Sequence, residues 1–340
     1  MLCTRFFGKM PNGEDAHLYL LSNAAGACVG VTDLGAFLVS CRVPDGRGGF
    51  PDVLLGYDGA AGYISDGYSL GAVVGRCANR IAGARFELEG TSYQLAANSG
   101  AHNLHSGPTT WSERLWTVVD QQDDAISFEL ISPEGDQGFP GSVRAQVSYQ
   151  LSEDNQLSLR YVAQPSEATI INLTNHAYWN LNGHAAGNVL QHTLQIFAES
   201  YTPLLDHIPT GEVCAVAGTP YDFREPCRLD ARLDVLPEGY DDNWCLGNEG
   251  ELRQAARLVG DQSGITMTVL TDVPGIQVYT ADYFEVANGR DGMRYGGFAG
   301  IALETQYYPD AIHHPNFPQP VFTPEHPYTS TTVFAFGHTA

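Results

Sequence analysis

Residues 143–165, VRAQVSYQLSEDNQLSLRYVAQP, place an apolar side chain at every second position, stop at Ser152-Glu153-Asp154-Asn155, and resume the alternation. Successive strand side chains point to opposite faces. Val143, Ala145, Val147, Tyr149 and Leu151, then Leu157, Leu159, Tyr161 and Ala163, therefore predict a hairpin with one buried face. The stretch 84–95, ARFELEGTSYQL, repeats the design, with Phe86 and Leu88 on one arm, Tyr93 and Leu95 on the other, and Gly90 at the bend. Shorter alternations run through Ile126-Phe128-Leu130, Ile265-Met267-Val269, Ile276-Val278 and the closing Val333-Ala335. Thirty-seven glycines and nineteen prolines punctuate these runs, as many tight turns require. GELRQAARLVGD, residues 250–261, permits a helical reading through Leu252, Ala255, Ala256 and Val259, and reads equally as a strand. The expectation is an all-β chain, one large antiparallel β-sandwich with few short helices. No biased linker, fixed repeat or low-complexity tract divides it, so residues 1–340 are expected to form a single domain.

Charge narrows the partners. With 39 acidic and 17 basic residues the formal charge is −22, which repels phosphate backbones and anionic lipid headgroups. Nucleic acid and membrane partners are not expected, and a neutral small molecule meets no such barrier. The opening MLCTRFFGKMPNGEDAHLYL lacks the apolar segment of a secretory signal, and nowhere do eighteen apolar residues run together. Seven cysteines, scattered from Cys3 to Cys245 with no C-x-x-C pair, fit buried free thiols in a reducing compartment. A cytoplasmic location is expected.

Chemistry should sit where polar clusters interrupt the alternation. VVGRCANRIAG (73–83) offers Asn79 and Arg80 between glycines that allow close backbone approach, or else an arginine paired to a core carboxylate. ANSGAHNLHSGP (97–108) holds His102 and His105, an H-x-x-H pair whose surroundings supply no third metal ligand. NLTNHAYWNLNG (172–183) sets His176 beside Tyr178 and Trp179; the rings could serve as platforms for a sugar and the amides could bind its hydroxyls, and a structural histidine reads the same way. GIALETQYYPDAIHHPNFPQP (300–320) brings in Glu304 directly after Ile301, Ala302 and Leu303. Desolvation there raises a carboxyl pKa toward the range of a useful base, unless Arg80 or Arg76 satisfies the group. Asp241, in EGYDDNWCL, adds a carboxylate near Trp244.

Taken together, FGKMPNGEDAHLYLLSN, NRIAGARFELEGTSYQLAANSG, HNLHSGP, TNHAYWNLNG, PGIQVYT and ETQYYPDAIHHPNFP resemble, in order and nearly end to end, the aldose 1-epimerases or galactose mutarotases. The resemblance implies the galactose mutarotase-like supersandwich, an open sugar cleft, and action on free aldohexoses such as galactose or glucose with no cofactor and no metal. It implies His176 as catalytic acid and Glu304 as catalytic base, with Asn79, Arg80, His105, Asp241 and Gln277 contacting the sugar. Ser106 stands where the family commonly has glycine, Asp242 where histidine often follows the aspartate, and Ile312-His313 where Pro-Asn is frequent.

Mutarotation needs what such a pair supplies. A hemiacetal ring opens when a base takes the C1 hydroxyl proton and an acid protonates the ring oxygen, each transfer contributing roughly 10²–10⁴-fold. Two other classes share some of these residues. A glycosidase would use Glu304 with Asp241 across a glycosidic bond, and a sugar-binding protein would keep the cleft and need neither the acid nor the base.

Overall fold

The structure is a computed structural model and describes residues 1–65, 67–247 and 249–339. Its centre is a nine-stranded antiparallel sheet in the order Thr117–Gln121, Ala125–Ser132, Val143–Leu151, Gln156–Pro165, Tyr328–His338, Ile265–Thr271, Arg253–Val259, Thr193–Ile196 and Cys227–Arg228. The hairpin read from the sequence at 143–165 pairs Val147 with Tyr161 and Tyr149 with Leu159, and its alternate positions are buried. The smaller hairpin pairs Phe86 with Tyr93, their rings stacked 5.2 Å apart, and turns at Glu89 and Gly90. Both turn residues have positive φ, as a two-residue hairpin loop requires.

A six-stranded sheet lies against this layer, in the order Tyr178–Trp179, Ile301–Gln306, Gly275–Tyr279, Asp241–Cys245, Ser200–Thr202 and Cys214–Ala215. Strand period assigns each residue to a face. Trp179, Ile301, Leu303, Ile276, Val278 and Trp244 turn toward the nine-stranded sheet and join one apolar core with Val269, Met267 and Phe334. Each fully buried side chain of this size contributes about 1.5–3 kcal/mol relative to exposure. Tyr178, Ala302, Glu304, Tyr279, Gln277 and Asp241 take the opposite face. A four-stranded sheet from residues 2–42 extends the sandwich, with Tyr19 edge-on to Phe128 at 5.6 Å. Helical segments among the described residues are short; Ala60–Ile64 has five residues.

Several details differ from the sequence reading. Residues 253–259 form a strand, bulged between Gln254 and Ala256, because neighbours at 193–196 and 265–271 pair with both its edges. In the closing strand Phe334 and Phe336 join the core, one register position from the Val333-Ala335 alternation. All seven cysteines are free; Cys41, Cys77 and Cys245 are buried while Cys3 is exposed.

Candidate active site

Adjacent strands of the six-stranded sheet align a row of side chains across the cleft-facing surface. Glu304 stands directly opposite Gln277, which stands opposite Asn243, and one step along Asp241 stands opposite Tyr279. His176 reaches this row from the segment after Thr174–Asn175, where its backbone is held by bonds with Ala72 and Gly71. Its Nε2 lies 3.5 Å from Glu304 Oε1, and its ring stacks on Tyr178 at 4.9 Å. Connecting segments complete the cleft. Asn79, Arg80, Leu104, His105, Tyr68, Ser69 and Tyr283 line it with His176, Tyr178, Asp241, Tyr279 and Glu304, around an open space of about 610 Å³.

The polar groups are oriented by one another. Asp241 Oδ1 accepts a hydrogen bond from Gln277 Nε2 at 2.8 Å, and its Oδ2 lies 3.6 Å from Arg80 Nη1. His105 Nδ1 accepts the backbone N–H of Asn79 at 3.1 Å, so a neutral ring carries its proton on Nε2. His105 and His176 meet edge to face at 5.4 Å. Glu304 Oε2 is buried with no protein hydrogen-bond partner among the described residues.

Burial dominates the electrostatics. Desolvation pushes the Glu304 carboxyl well above the usual carboxylate range, with Asp241 adding to the rise and Arg80 opposing it. Burial also lowers His176 to about 4. His105 is held well below an ordinary imidazole by burial, then by His176 and Arg80. Burial thus disfavours the charged form of all three groups.

All seven residues singled out from the sequence lie together here, Gln277 as the floor partner of Asp241. The neighbours assigned to them differ. Arg76, not Arg80, is the fully buried arginine, and it binds Ser132 Oγ and the carbonyls of Pro140 and Gly141 rather than Glu304. Trp179 is no sugar platform: it turns into the core, against Phe334 at 4.9 Å, and Trp244 is buried in the same core. His102 has a separate partner, its Nδ1 accepting the Gly83 N–H at 3.2 Å, and does not line the cleft. Tyr279 and Tyr283 were not anticipated. Tyr279 follows Gln277 by two residues on a strand and so shares its face, a signal present in PGIQVYT.

The chain is similar to known proteins over nearly its whole length. The family model described as aldose 1-epimerase matches residues 17–335. Galactose mutarotase from Bos taurus is 37% identical over 334 residues, covering 97% of each chain. Aldose 1-epimerase from Escherichia coli K12 is 35% identical over 335 residues, covering 96% of each. Among solved structures, the aldose epimerase homologue from C. elegans superposes with a TM-score of 0.90 at 29% identity, covering 96% of this chain and 100% of that one.

Proposed function

The chain belongs to the aldose 1-epimerase family and is a carbohydrate epimerase; we propose that it interconverts the α and β anomers of free aldohexoses such as galactose and glucose, with Glu304 as base and His176 as acid. The observation that carries this reading is the 3.5 Å approach of His176 Nε2 to Glu304 Oε1 on the wall of one cleft. Two groups so placed address two oxygens bonded to one carbon.

The step proceeds as follows. Ionised Glu304 takes the O1 proton; the O1–H electron pair becomes the C1=O1 π bond as C1–O5 breaks, and O5 takes the proton of His176 Nε2. The open aldehyde rotates about C1–C2. On reclosure His176 recovers the O5 proton, O5 attacks the other face of C1, and Glu304 returns its proton to O1. The pair holds one proton throughout, on His176 when the ring is closed and on Glu304 when it is open.

Burial raises Glu304 and lowers His176, so the proton the pair shares rests more readily on Glu304, as in the open-chain state. Closed sugar therefore requires one proton to pass from Glu304 to His176 before opening. Asp241, fixed by Gln277 and facing Arg80, anchors sugar hydroxyls, and His105 offers Nε2–H to an oxygen near the reacting carbon. Orientation of this kind supplies much of an enzyme's rate, and a shift of about 1 Å can cost about 10²-fold.

We read residues 1–340 as one working unit, supported by a core that draws on positions from Tyr19 to Phe336. A cytosolic site of action is proposed from the free cysteines. Among the described residues no helix is long and apolar enough to cross a membrane. Polarimetry on freshly dissolved α-D-galactose tests the reading: catalysed decay of rotation to equilibrium, with no alcohol released from an aryl galactoside, is the expected result.

A further inference from the structure

We propose that Ser106 is a positioning residue for this site, its buried hydroxyl fastening the His105 turn to the Cys77 peptide and thereby fixing the tautomer and aim of the His105 ring. The proposal rests on the mutarotase reading for its kinetic consequence and on geometry alone for the rest.

Ser106 is fully buried and lies behind the cleft wall. Its backbone sits at φ 56°, in the left-handed region where glycine is at ease and a β-carbon is penalised. His105 at φ 52° and Asn79 at φ 60° share that conformation. Strained backbone of this kind persists where surrounding bonds over-determine it. Here they do. Ser106 Oγ accepts the Cys77 N–H at 2.8 Å and donates to the Cys77 carbonyl at 3.1 Å, so one hydroxyl meets both backbone polar groups of a buried residue.

The bonds continue in both directions. Toward the cleft, His105 N–H donates to the Asn79 carbonyl at 3.0 Å and Asn79 N–H donates to His105 Nδ1 at 3.1 Å. Away from it, Cys77 bridges to Asn172, and the Ala78 N–H donates to the Asn172 carbonyl at 2.8 Å. The Asn172 amide then clamps Tyr307, donating to its carbonyl at 3.2 Å and accepting its N–H at 2.9 Å. Tyr307 follows the strand that carries Glu304. Hydrogen bonds and the short chain segments between them thus link the His105 turn, through Ser106, to Tyr307, three residues past the base. Without the hydroxyl the His105 turn loses its tie to Cys77 and is held by the reciprocal pair with Asn79 and by the bonds of its neighbour Leu104 with Asn98 and Gly107.

Ser106→Gly is the informative variant, because glycine suits φ 56° and retains the turn. We expect it to fold, to lose roughly 10- to 100-fold in kcat/KM for α-D-galactose, and to show mixed tautomers for His105 in long-range ¹H–¹⁵N spectra of histidine-labelled protein. The wild type should show His105 protonated on Nε2, with the signal assigned through His105→Asn. A hydroxyl that serves stability alone would lower the melting temperature and leave kcat/KM and the tautomer of the folded variant at wild-type values; that result overturns the proposal. So does a wild-type spectrum with the His105 proton on Nδ1, which needs neither a folded variant nor mutarotase activity.

Discussion

Replacing Asp241 with asparagine separates sugar anchoring from proton transfer. Asp241 Oδ1 is committed to Gln277 Nε2, leaving Oδ2 toward Arg80 and the cleft. In Asp241→Asn, Oδ1 can keep the Gln277 bond, and the new amide nitrogen presents a donor where Arg80 already presents one. A hydrogen bond to a charged group contributes about 1.5–3 kcal/mol. The side chain is 34% exposed, so solvent screening favours the lower end. At about 1.5 kcal/mol the expected rise in KM is roughly tenfold. Since the 3.5 Å pair of His176 and Glu304 is untouched, kcat should stay within about threefold. Asp241 is also one of the groups raising Glu304, so the alkaline limb of the rate profile should move to lower pH. Initial rates by polarimetry over a range of α-D-galactose concentrations give both constants. A fall in kcat with unchanged KM would refute the division of labour argued here.

Two further substitutions test the sheet that carries the site. Asp242, behind Asp241 and buried, is raised to about 7 by burial and then by Asp241. A carboxyl raised in the folded state contributes stability below its unfolded value near 4, and that stability is lost as pH rises through about 7. Asp242→Asn should therefore raise the melting temperature at pH 8 and change it little at pH 4; equal shifts at both would exclude the buried carboxyl as the cause. Trp179→Ala empties a fully buried position against Phe334 and should cost about 3–5 kcal/mol in urea unfolding. A cost below about 1 kcal/mol would place that ring outside the core.

The hairpins at 143–165 and 84–95 were legible because one face of each is apolar and the other polar, so period two marks both the strand and its inner side. The same signal fails where both faces are apolar. Val333, Phe334, Ala335 and Phe336 alternate equally well in either parity, and partners on both sides decide that the phenylalanines turn inward. Residues 253–259 read as helix or strand for a related reason, since strand pairing is a property of distant segments. Within the site, His176 and Glu304 were legible because unusual polar residues interrupt apolar runs. Trp179 misled because neighbours on a strand face opposite ways: Tyr178 takes the cleft, so Trp179 takes the core. Tyr68 and Ser69 lie in a connection with no periodicity to read, and the partner of Ser106 is 29 residues away.

In the proposed reaction one imidazole and one carboxyl exchange a proton with adjacent oxygens of a single sugar. Polarimetry at pH 7 on freshly dissolved α-D-galactose, with wild-type protein, Glu304→Gln and His176→Asn, addresses that directly. Each variant, correctly folded by circular dichroism, is expected to lose about 10²–10⁴-fold in kcat/KM. Turnover within tenfold of wild type in either folded variant would contradict the assignment.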